Sequence, residues 1–570
     1  MARFPLSSAE RLRISGALAT LALARMRGLV LSSWQRLALV LQRPPRRLLV
    51  APQDIRTIDP VRVEEYQRGQ FTFGGQSLDV GAASPFAQEP PSTAFARALC
   101  DFGWLRHVRA APGAEISTTA RKLVDDFLRY RKPCHSPALE PDVTARRLLS
   151  FLSQSPILLE GADRDFYDRF LHGLKQDHDR VQRALCQPQA DITRLNLILA
   201  AAAYSLCAAV SPQRLQRAGQ RLAKELAAQV LADGCHISRN PGVLVAVALD
   251  LMPLQQAFVA RGITPPRQLA AALTRLQAHL RKLRHPDGSL ALFNGMGPSA
   301  MDALALALAH DGNHELAPSA ATPGGYLRLG AGNSVLIMDG GLPPPMRHSA
   351  SAHAGTLAFE FSSGDQRLVI NCGSCDDTKP LLREAGRLTA AHSTLEIDET
   401  SSATFAADHG LQAHVRHQII SGPEEVDVEH REEAGDQFLG ATHDGYARHF
   451  GLLHTRQLGL SRRGDRLIGE DSLHPAPGGR SPPALPFSIR FHLHPSVRAV
   501  PADNGRAIRL ETSHGEAWLF EAGGTPLALE DSALIASRAG TRPTTQIVIS
   551  GETGATTRFA WSLTRASSGS

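Results

Sequence analysis

Five stretches of the chain gather side chains able to move protons or hold anions. The first is Asp233-Gly-Cys-His236-Ile-Ser-Arg239-Asn240-Pro241. His236, Arg239 and Asn240 together can clamp a carboxylate, the guanidinium through a bidentate fork and the others through hydrogen bonds. The same segment also reads as a helix start, with Asn240 as cap and Pro241 at the first helical position. The second is the glycine-rich loop from His285-Pro-Asp287-Gly to Asn294-Gly-Met-Gly297. The third runs Arg347-His348-Ser-Ala-Ser351-Ala-His353-Ala-Gly355 into a strand; the next strand ends in Asn371-Cys372-Gly373, and a third follows Arg387-Leu-Thr-Ala-Ala-His392. If these strand ends converge, His353, Asn371 and His392 can hold a metal; otherwise the two histidines hydrogen-bond at a sheet rim. The fourth, His443-Asp-Gly-Tyr446, offers Tyr446 and His443 for proton transfer, or is a turn with polar flanks. In the fifth, Arg490, His492 and His494 alternate on one strand, a face for an acidic ligand or, the favoured reading, a structural polar rim.

These segments need elements to position them. Residues 1–50 read as a basic helical leader ended by Pro44-Pro45, and Phe71-Thr-Phe73-Gly-Gly75 as a short hairpin. Helical spacing recurs from Ala94 to Ala309, with Pro212, Pro241, Pro266 and Pro298 near helix starts, where the missing N–H is harmless. Short loops between so many helices predict stacked antiparallel pairs. From about Thr322 the pattern becomes short alternating segments split by Gly, Asp, Asn and Pro, which predicts a β-sandwich. The expected fold is all-α then all-β, divided at residues 1–50, 51–320 and 321–570.

The chain has 570 residues with 43% hydrophobic and 20% charged residues, enough to bury a large core and to exclude global disorder. No Walker loop, dinucleotide G-x-G-x-x-G, G-x-S-x-G or H-E-x-x-H is present. The net charge of +6 divides into +12 over residues 1–320 and −6 over the rest. That asymmetry fits a polyanion met by the first part, nucleic acid or acidic polysaccharide, or a generally Arg-rich composition. Seven scattered cysteines argue against a disulfide framework. Arg11 and Arg13 precede the apolar stretch Ile14–Ala24, and Arg25 and Arg27 follow it, a signal-like arrangement. The pattern continues to about Leu49, so a retained basic helix touching a membrane or partner is expected over a cleaved signal.

His353-Ala-Gly-Thr-Leu-Ala-Phe-Glu-Phe, Asn371-Cys-Gly, and Arg387-Leu-Thr-Ala-Ala-His392-Ser-Thr-Leu resemble segments of the heparinase II/III family of polysaccharide lyases. Asp233-Gly-Cys-His236-Ile-Ser-Arg239-Asn240-Pro241 is similar to another. The resemblance covers about residues 60–565. It implies an incomplete (α/α) toroid joined to an antiparallel β-sandwich, with the site in the cleft between them. It also implies β-elimination on a uronate-bearing acidic polysaccharide, and no nucleic acid partner. That chemistry neutralises the C6 carboxylate, removes the C5 proton and protonates the departing O4.

On this resemblance His236, Arg239 and Asn240 neutralise the carboxylate. His353, Asn371 and His392 hold one structural divalent metal, zinc or calcium, or one of the two histidines acts as base. The sequence departs from the family at Val243, where a Tyr is usual, at Ser351 for a His, at Gly355 for an Asp and at Asn371 for an Asp. Tyr446 then replaces the phenol and His348 the lost His. The alternative is a lyase-like acidic-glycan-binding protein that has lost elimination chemistry. A hydrolase would need two facing carboxylates; Asp287, Glu360 and Asp444 are the acids nearest the motifs. The expected location is the periplasm or cell envelope, the alternative cytoplasmic or membrane-associated.

Overall fold

The computed structural model describes residues 6–40, 42–110, 113–129, 135–309, 323–375, 379–407, 410–478, 484–554 and 558–566. The expected boundary at 320/321, Cys134 and the end of the tail lie outside them.

Twelve helices are described before the first large sheet. They are α1 (Ser8–Val40), α2 (Pro60–Gln67), α3 (Thr93–Cys100), α4 (Ala114–Arg129), α5 (His135–Ala138), α6 (Pro141–Leu159), α7 (Arg164–Ala184), α8 (Asp191–Cys207), α9 (Pro212–Gln229), α10 (Pro241–Ala260), α11 (Arg267–Lys282) and α12 (Met301–Leu308). The hairpin Gln70–Phe73/Gln76–Asp79 sits between α2 and α3. Local chemistry sets several starts. Asp163 accepts from Phe166 N at 2.7 Å ahead of α7, and Pro212 and Pro241 open α9 and α10 where no N–H is needed. Pro298 instead lies in the loop ahead of α12.

Helices α6, α8 and α10 pack as an inner layer, with α7, α9 and α11 outside them. The sequences explain the layers. α8 and α10 are apolar on almost every face and buried, while α7, α9 and α11 carry one apolar stripe each. This is the incomplete (α/α) toroid.

The β part is two eight-stranded antiparallel systems packed face to face. One runs, in spatial order, Val426–Glu433, Asp436–His443, Leu452–Leu460, Arg466–Pro475, Arg558–Arg565, Ala517–Glu521, Ala507–Glu511 and Arg498–Ala502. The other runs Leu527–Leu534, Arg542–Glu552, Pro486–Leu493, Gln366–Ile370, Phe359–Ser363, Ser334–Asp339 and Tyr326–Ala331, with Leu395–Ile397 also paired to Pro486–Leu493. Inward residues such as Phe359, Phe491, Trp518 and Trp561 fill the space between. Val426–Glu433 was not legible as a strand because it is a charged, exposed edge, the usual way an edge avoids further pairing. Residues 413–420 alternate as a strand would, but the chain there forms a 3₁₀ turn, Gly410–Val415, followed by a short strand, Ile419–Ser421.

Toroid and sandwich are locked by buried polar groups. Arg239 Nε donates to Gly324 O at 2.8 Å and Nη1 to Leu342 O at 2.9 Å, while Nη2 pairs with Asp339. Asn294 Nδ2 donates to Asp339 Oδ2 at 3.0 Å and to the Tyr326 hydroxyl at 2.8 Å. The Tyr326 hydroxyl donates to Arg239 O at 2.5 Å. Arg239 and Asn294 both hold positive φ, 59° and 47°. Such strain persists only where the surroundings over-determine it.

The leader is no separate appendage. In α1, Glu10 is buried and takes both terminal nitrogens of Arg448 from the sandwich, and Ile14 packs on Ala406, Val415 and Ile420. Further along, Gly28 lies against Cys186, Gln35 bonds Gln182 at 3.4 Å and Lys175 donates to Leu39 O at 3.0 Å, all on the toroid. Residues 42–50 then run extended to α8, where Leu49 N donates to Cys207 O at 2.7 Å.

Breaking a buried ion pair on one side leaves the other charge stranded. Asp339→Asn, which preserves shape, is expected to cost about 3–5 kcal/mol of stability. Urea denaturation reads this as a lowered midpoint; a midpoint equal to the parent's would remove the pair from the seam's stability.

Candidate functional site

The first three stretches singled out from sequence meet at the seam between toroid and sandwich, while 443–446 and 490–494 lie within the sandwich. What the three do at the seam is mostly hold it shut. The 233–241 loop folds as a tight turn in which Asp233 accepts from Cys235 N at 3.1 Å and from Gly324 N at 2.9 Å. Gly234 is required, since a Cβ would lie 2.0 Å from Arg275 O. His236 faces inward. Its Nδ1 accepts from Ser238 N at 3.1 Å, so Nε2–H donates to Gln229 Oε1 at 2.9 Å. Burial pushes its pKa down to about 4. Both nitrogens are thus used inside the protein, and the expected carboxylate contact is not available to His236.

Arg239 is likewise committed. Burial opposes its charge, yet adjacent Asp339 raises its pKa above the ordinary value. Its guanidinium lies over the Tyr326 ring, 4.7 Å from the centroid. The clamp expected for a substrate carboxylate is spent on the protein's own Asp339. Asn240 differs: Oδ1 caps α10 through Gly242 N at 2.8 Å, and no described residue accepts from its Nδ2. That amide stands beside Gly295 and Ser351, where a Cβ on Gly295 would come within 3.1 Å of Nδ2 and 2.6 Å of Ser351 O.

The third constellation forms a chain. His392 Nδ1 lies 2.7 Å from Leu388 O, so it carries a proton, and burial pushes the ring's pKa down to about 4. The ring is then neutral, and its Nε2 lone pair accepts from His353 Nδ1–H at 3.0 Å. The proton order leaves His353 Nε2 as a bare lone pair, enclosed and without a hydrogen-bond partner among the described residues. Burial, reinforced by His392 and Arg387, lowers the His353 pKa well below its usual value. His353 N donates to Asn294 Oδ1 at 3.2 Å, which ties this chain to the seam.

The metal set expected from His353, Asn371 and His392 does not fit. Two imidazole nitrogens on one tetrahedral zinc stand about 3.4 Å apart, and a proton already fills the shorter histidine–histidine gap. Asn371 Oδ1 accepts from Ser393 N at 2.9 Å, and its Nδ2 donates to Glu360 at 3.1 Å. Among the described residues no group of three His, Cys, Asp or Glu side chains could hold a metal. Gly355 belongs to the same rearrangement: a Cβ there would sit 2.6 Å from His392 Cδ2. The ring occupies the space a carboxylate at 355 would need.

Tyr446 does not replace the missing phenol. It is fully buried in the sandwich, donates to Leu395 O at 2.8 Å, and burial raises its pKa well above 10. His443 and His454 are buried beside it, His454 bonded to Asp471 at 2.8 Å. His348 is buried and accepts from Arg347 Nε at 2.7 Å. The hydrolase reading finds no support: Glu360 is buried and binds His285 at 3.0 Å and Arg367, Asp287 caps its own turn, and Asp444 accepts from two backbone amides. Arg367 and the His285 bond outweigh burial and hold the Glu360 carboxyl down at about 2.

Below the seam a cavity of about 530 Å³ follows one face of α10, from Gly242 through Val245 and Leu249 to Pro253. Met296 and Gly297 line its upper end, and Arg56, Arg106 and Arg146 its lower end. Arg56 and Arg146 both bind Asp250, at 2.6 and 2.8 Å. Tyr326 and Asp339 are the seam residues that sequence reasoning passed over. Their signal was present: Gly324-Gly325-Tyr326 opens one strand and Asp339-Gly340-Gly341 closes the next.

A family model described as heparinase II/III-like, C-terminal, matches residues 314–562. FtsZ-localized protein C of Caulobacter vibrioides (strain NA1000 / CB15N) is 31% identical over 552 residues, covering 93% of this chain and 92% of the relative. A heparan sulfate lyase HepC mutant from Pedobacter heparinus superposes with a TM-score of 0.63 at 16% identity, over 97% of this chain and 90% of that one. Heparinase III superposes with a TM-score of 0.69 at 12% identity, over 95% and 89%. The chain belongs to the heparinase II/III family, and its toroid and sandwich are that family's fold. Membership supports a polysaccharide lyase-like function at the level of the family.

The proton between His353 and His392 predicts indifference to chelators. Prolonged dialysis against EDTA is expected to leave the thermal midpoint unchanged. A drop restored by zinc or calcium would establish a metal that these side chains rearrange to bind.

Proposed function

We propose that this chain is a lyase-like protein that binds an acidic polysaccharide at the toroid–sandwich seam and does not turn it over efficiently. One observation carries the reading: none of the proton-transfer candidates offers its atom to a ligand. His236 is satisfied inside its loop, Tyr446 is sunk in the sandwich, and His353 Nε2 is enclosed. Asn240 Nδ2 remains as a donor for a carboxylate, beside a groove of the kind that takes ligands. The relative that is similar along nearly its whole length is named for where it localises, with FtsZ, and not for a reaction.

Uronate polymers (heparan-type, hyaluronan, alginate) test this directly. The expected result is salt-sensitive retention on immobilised polymer, weakened by Asn240→Ala, with no ultraviolet signal of a conjugated 4,5-unsaturated uronate. A rising signal abolished by His353→Ala would restore the lyase reading.

The same protein sits on a membrane surface through α1, and this is its proposed location, near FtsZ as for the relative. Leu23, Met26, Val30 and Trp34 recur on one face of α1 and are exposed, Trp34 at 72%. Arg27 borders that face and Arg25 lies on the opposite side, within a helix whose apolar and basic residues suit a membrane interface. The pairing of buried Glu10 with Arg448 and the Ile14 contacts support a retained helix over a cleaved signal. Trp34→Glu is expected to abolish flotation with phospholipid vesicles; undiminished flotation would remove α1 as the contact.

A further inference from the structure

A second cavity, of about 630 Å³, lies where α1 ends, away from the seam. Its walls are the extended segment after α1, α7, the end of α8 and the start of α9. The segment is pinned by Leu49 N to Cys207 O at 2.7 Å and by the Tyr167 hydroxyl to Arg46 O at 3.3 Å. The cavity is therefore built into the fold.

Its charge is one-sided. Arg43, Arg46, Arg47, Arg214 and Lys175 line it, and Asp179 is the single acid among the described lining residues. Asp179 pairs with Lys175. Arg43, Arg46 and Arg47 have no carboxylate partner among the described residues, and Arg214 bonds the neutral Gln42 Oε1 at 3.1 Å. Residues 1–50 hold nine arginines and one acid, Glu10, which is already spent on Arg448. The N-terminus of the 18-residue α9 opens here too, with Ser211 as its cap residue making no side-chain cap bond.

The floor supplies the second observation. His178 is buried and stacks on Tyr204, ring centroids 4.0 Å apart at 13°. Gln182 Nε2 approaches His178 Nε2 at 3.5 Å, and Gln182 Oε1 faces Gln35, so the amide donates and the proton sits on His178 Nδ1. That Nδ1–H has no hydrogen-bond partner among the described residues. Burial, with Lys175 and Arg214, pushes the ring's pKa down to about 3, keeping it neutral. A buried donor with no acceptor is costly, and the ring that carries it lines an arginine-rich cavity.

We propose that this cavity binds a phosphate group. The unpaired guanidiniums match phosphate oxygens in bidentate geometry, and the volume suits a phosphate with a small organic substituent. Two sources share this chemistry: an anionic phospholipid headgroup, reached because the cavity lies at the end of α1, or a soluble phosphate ester.

The full-length protein decides between them. Glycerol 3-phosphate is titrated by calorimetry, and flotation is measured with vesicles of phosphatidylcholine alone or mixed with phosphatidylglycerol. The variants are Arg46→Gln/Arg214→Gln and the single substitution Arg47→Gln. Arg46 is exposed, so Arg46→Gln alone serves if the double variant fails to fold. Binding of glycerol 3-phosphate weakened at least ~10-fold in the variants establishes a soluble ester site. No titration signal, but loss of the phosphatidylglycerol-dependent flotation in the variants, establishes a headgroup site. Variants equal to the parent in both assays overturn the proposal. Trp34→Glu separates it from the membrane reading, since it removes flotation and leaves the glycerol 3-phosphate titration intact.

Discussion

The architecture turns on one buried charge. Arg239, on a toroid loop, is out of water and needs an anion; Asp339, at the end of a sandwich strand, provides it. Around that pair the other seam residues find their places. Asn294 bonds Asp339, the Tyr326 hydroxyl and the amide of His353, and Tyr326 closes the circle on Arg239 O. Removing any member strands a polar group in a low-dielectric interior, where networks are stable only when complete. Two residues tolerate left-handed backbone to complete this one.

The seam also explains the chemistry of the cleft. Elimination needs groups that are half-committed: a cation awaiting a carboxylate, a base awaiting a proton. Here the cation has its carboxylate, and His353 and His392 have settled their proton between themselves. Gly355 makes that settlement possible by leaving room for the His392 ring. A second buried network, Glu360 with His285, Arg367 and Asn371, uses the remaining motif residues for the same structural end. Asn240 is the motif residue that keeps a donor in reserve.

Much of this was legible in the residues. Proline at the first turn marked α9 and α10, and the change from helical spacing to short alternating segments marked the order of toroid and sandwich. The loops that meet at the seam were among the stretches singled out for their polar residues. Their roles were harder to read. An Arg beside His and Asn has the same appearance whether its anion is a substrate or Asp339, a hundred positions away in the chain. Tyr446 follows a turn in sequence, and only the packing of two sheets shows that its hydroxyl faces Leu395. Charged strands such as Val426–Glu433 hid because edges are built from polar residues.

Helix α1 adds a constraint of another kind. Its first turns are fastened to the sandwich through Glu10 and Ile14, and its last turns to the toroid through Gln35 and Leu39. Toroid and sandwich are therefore joined twice, at the seam and across a rigid rod, which makes a closed linkage of the whole molecule. A hinge in such a linkage cannot swing freely: widening the cleft must slide, bend or detach the rod. The mouth of the cleft and the outer face of α1 are thereby mechanically one coordinate.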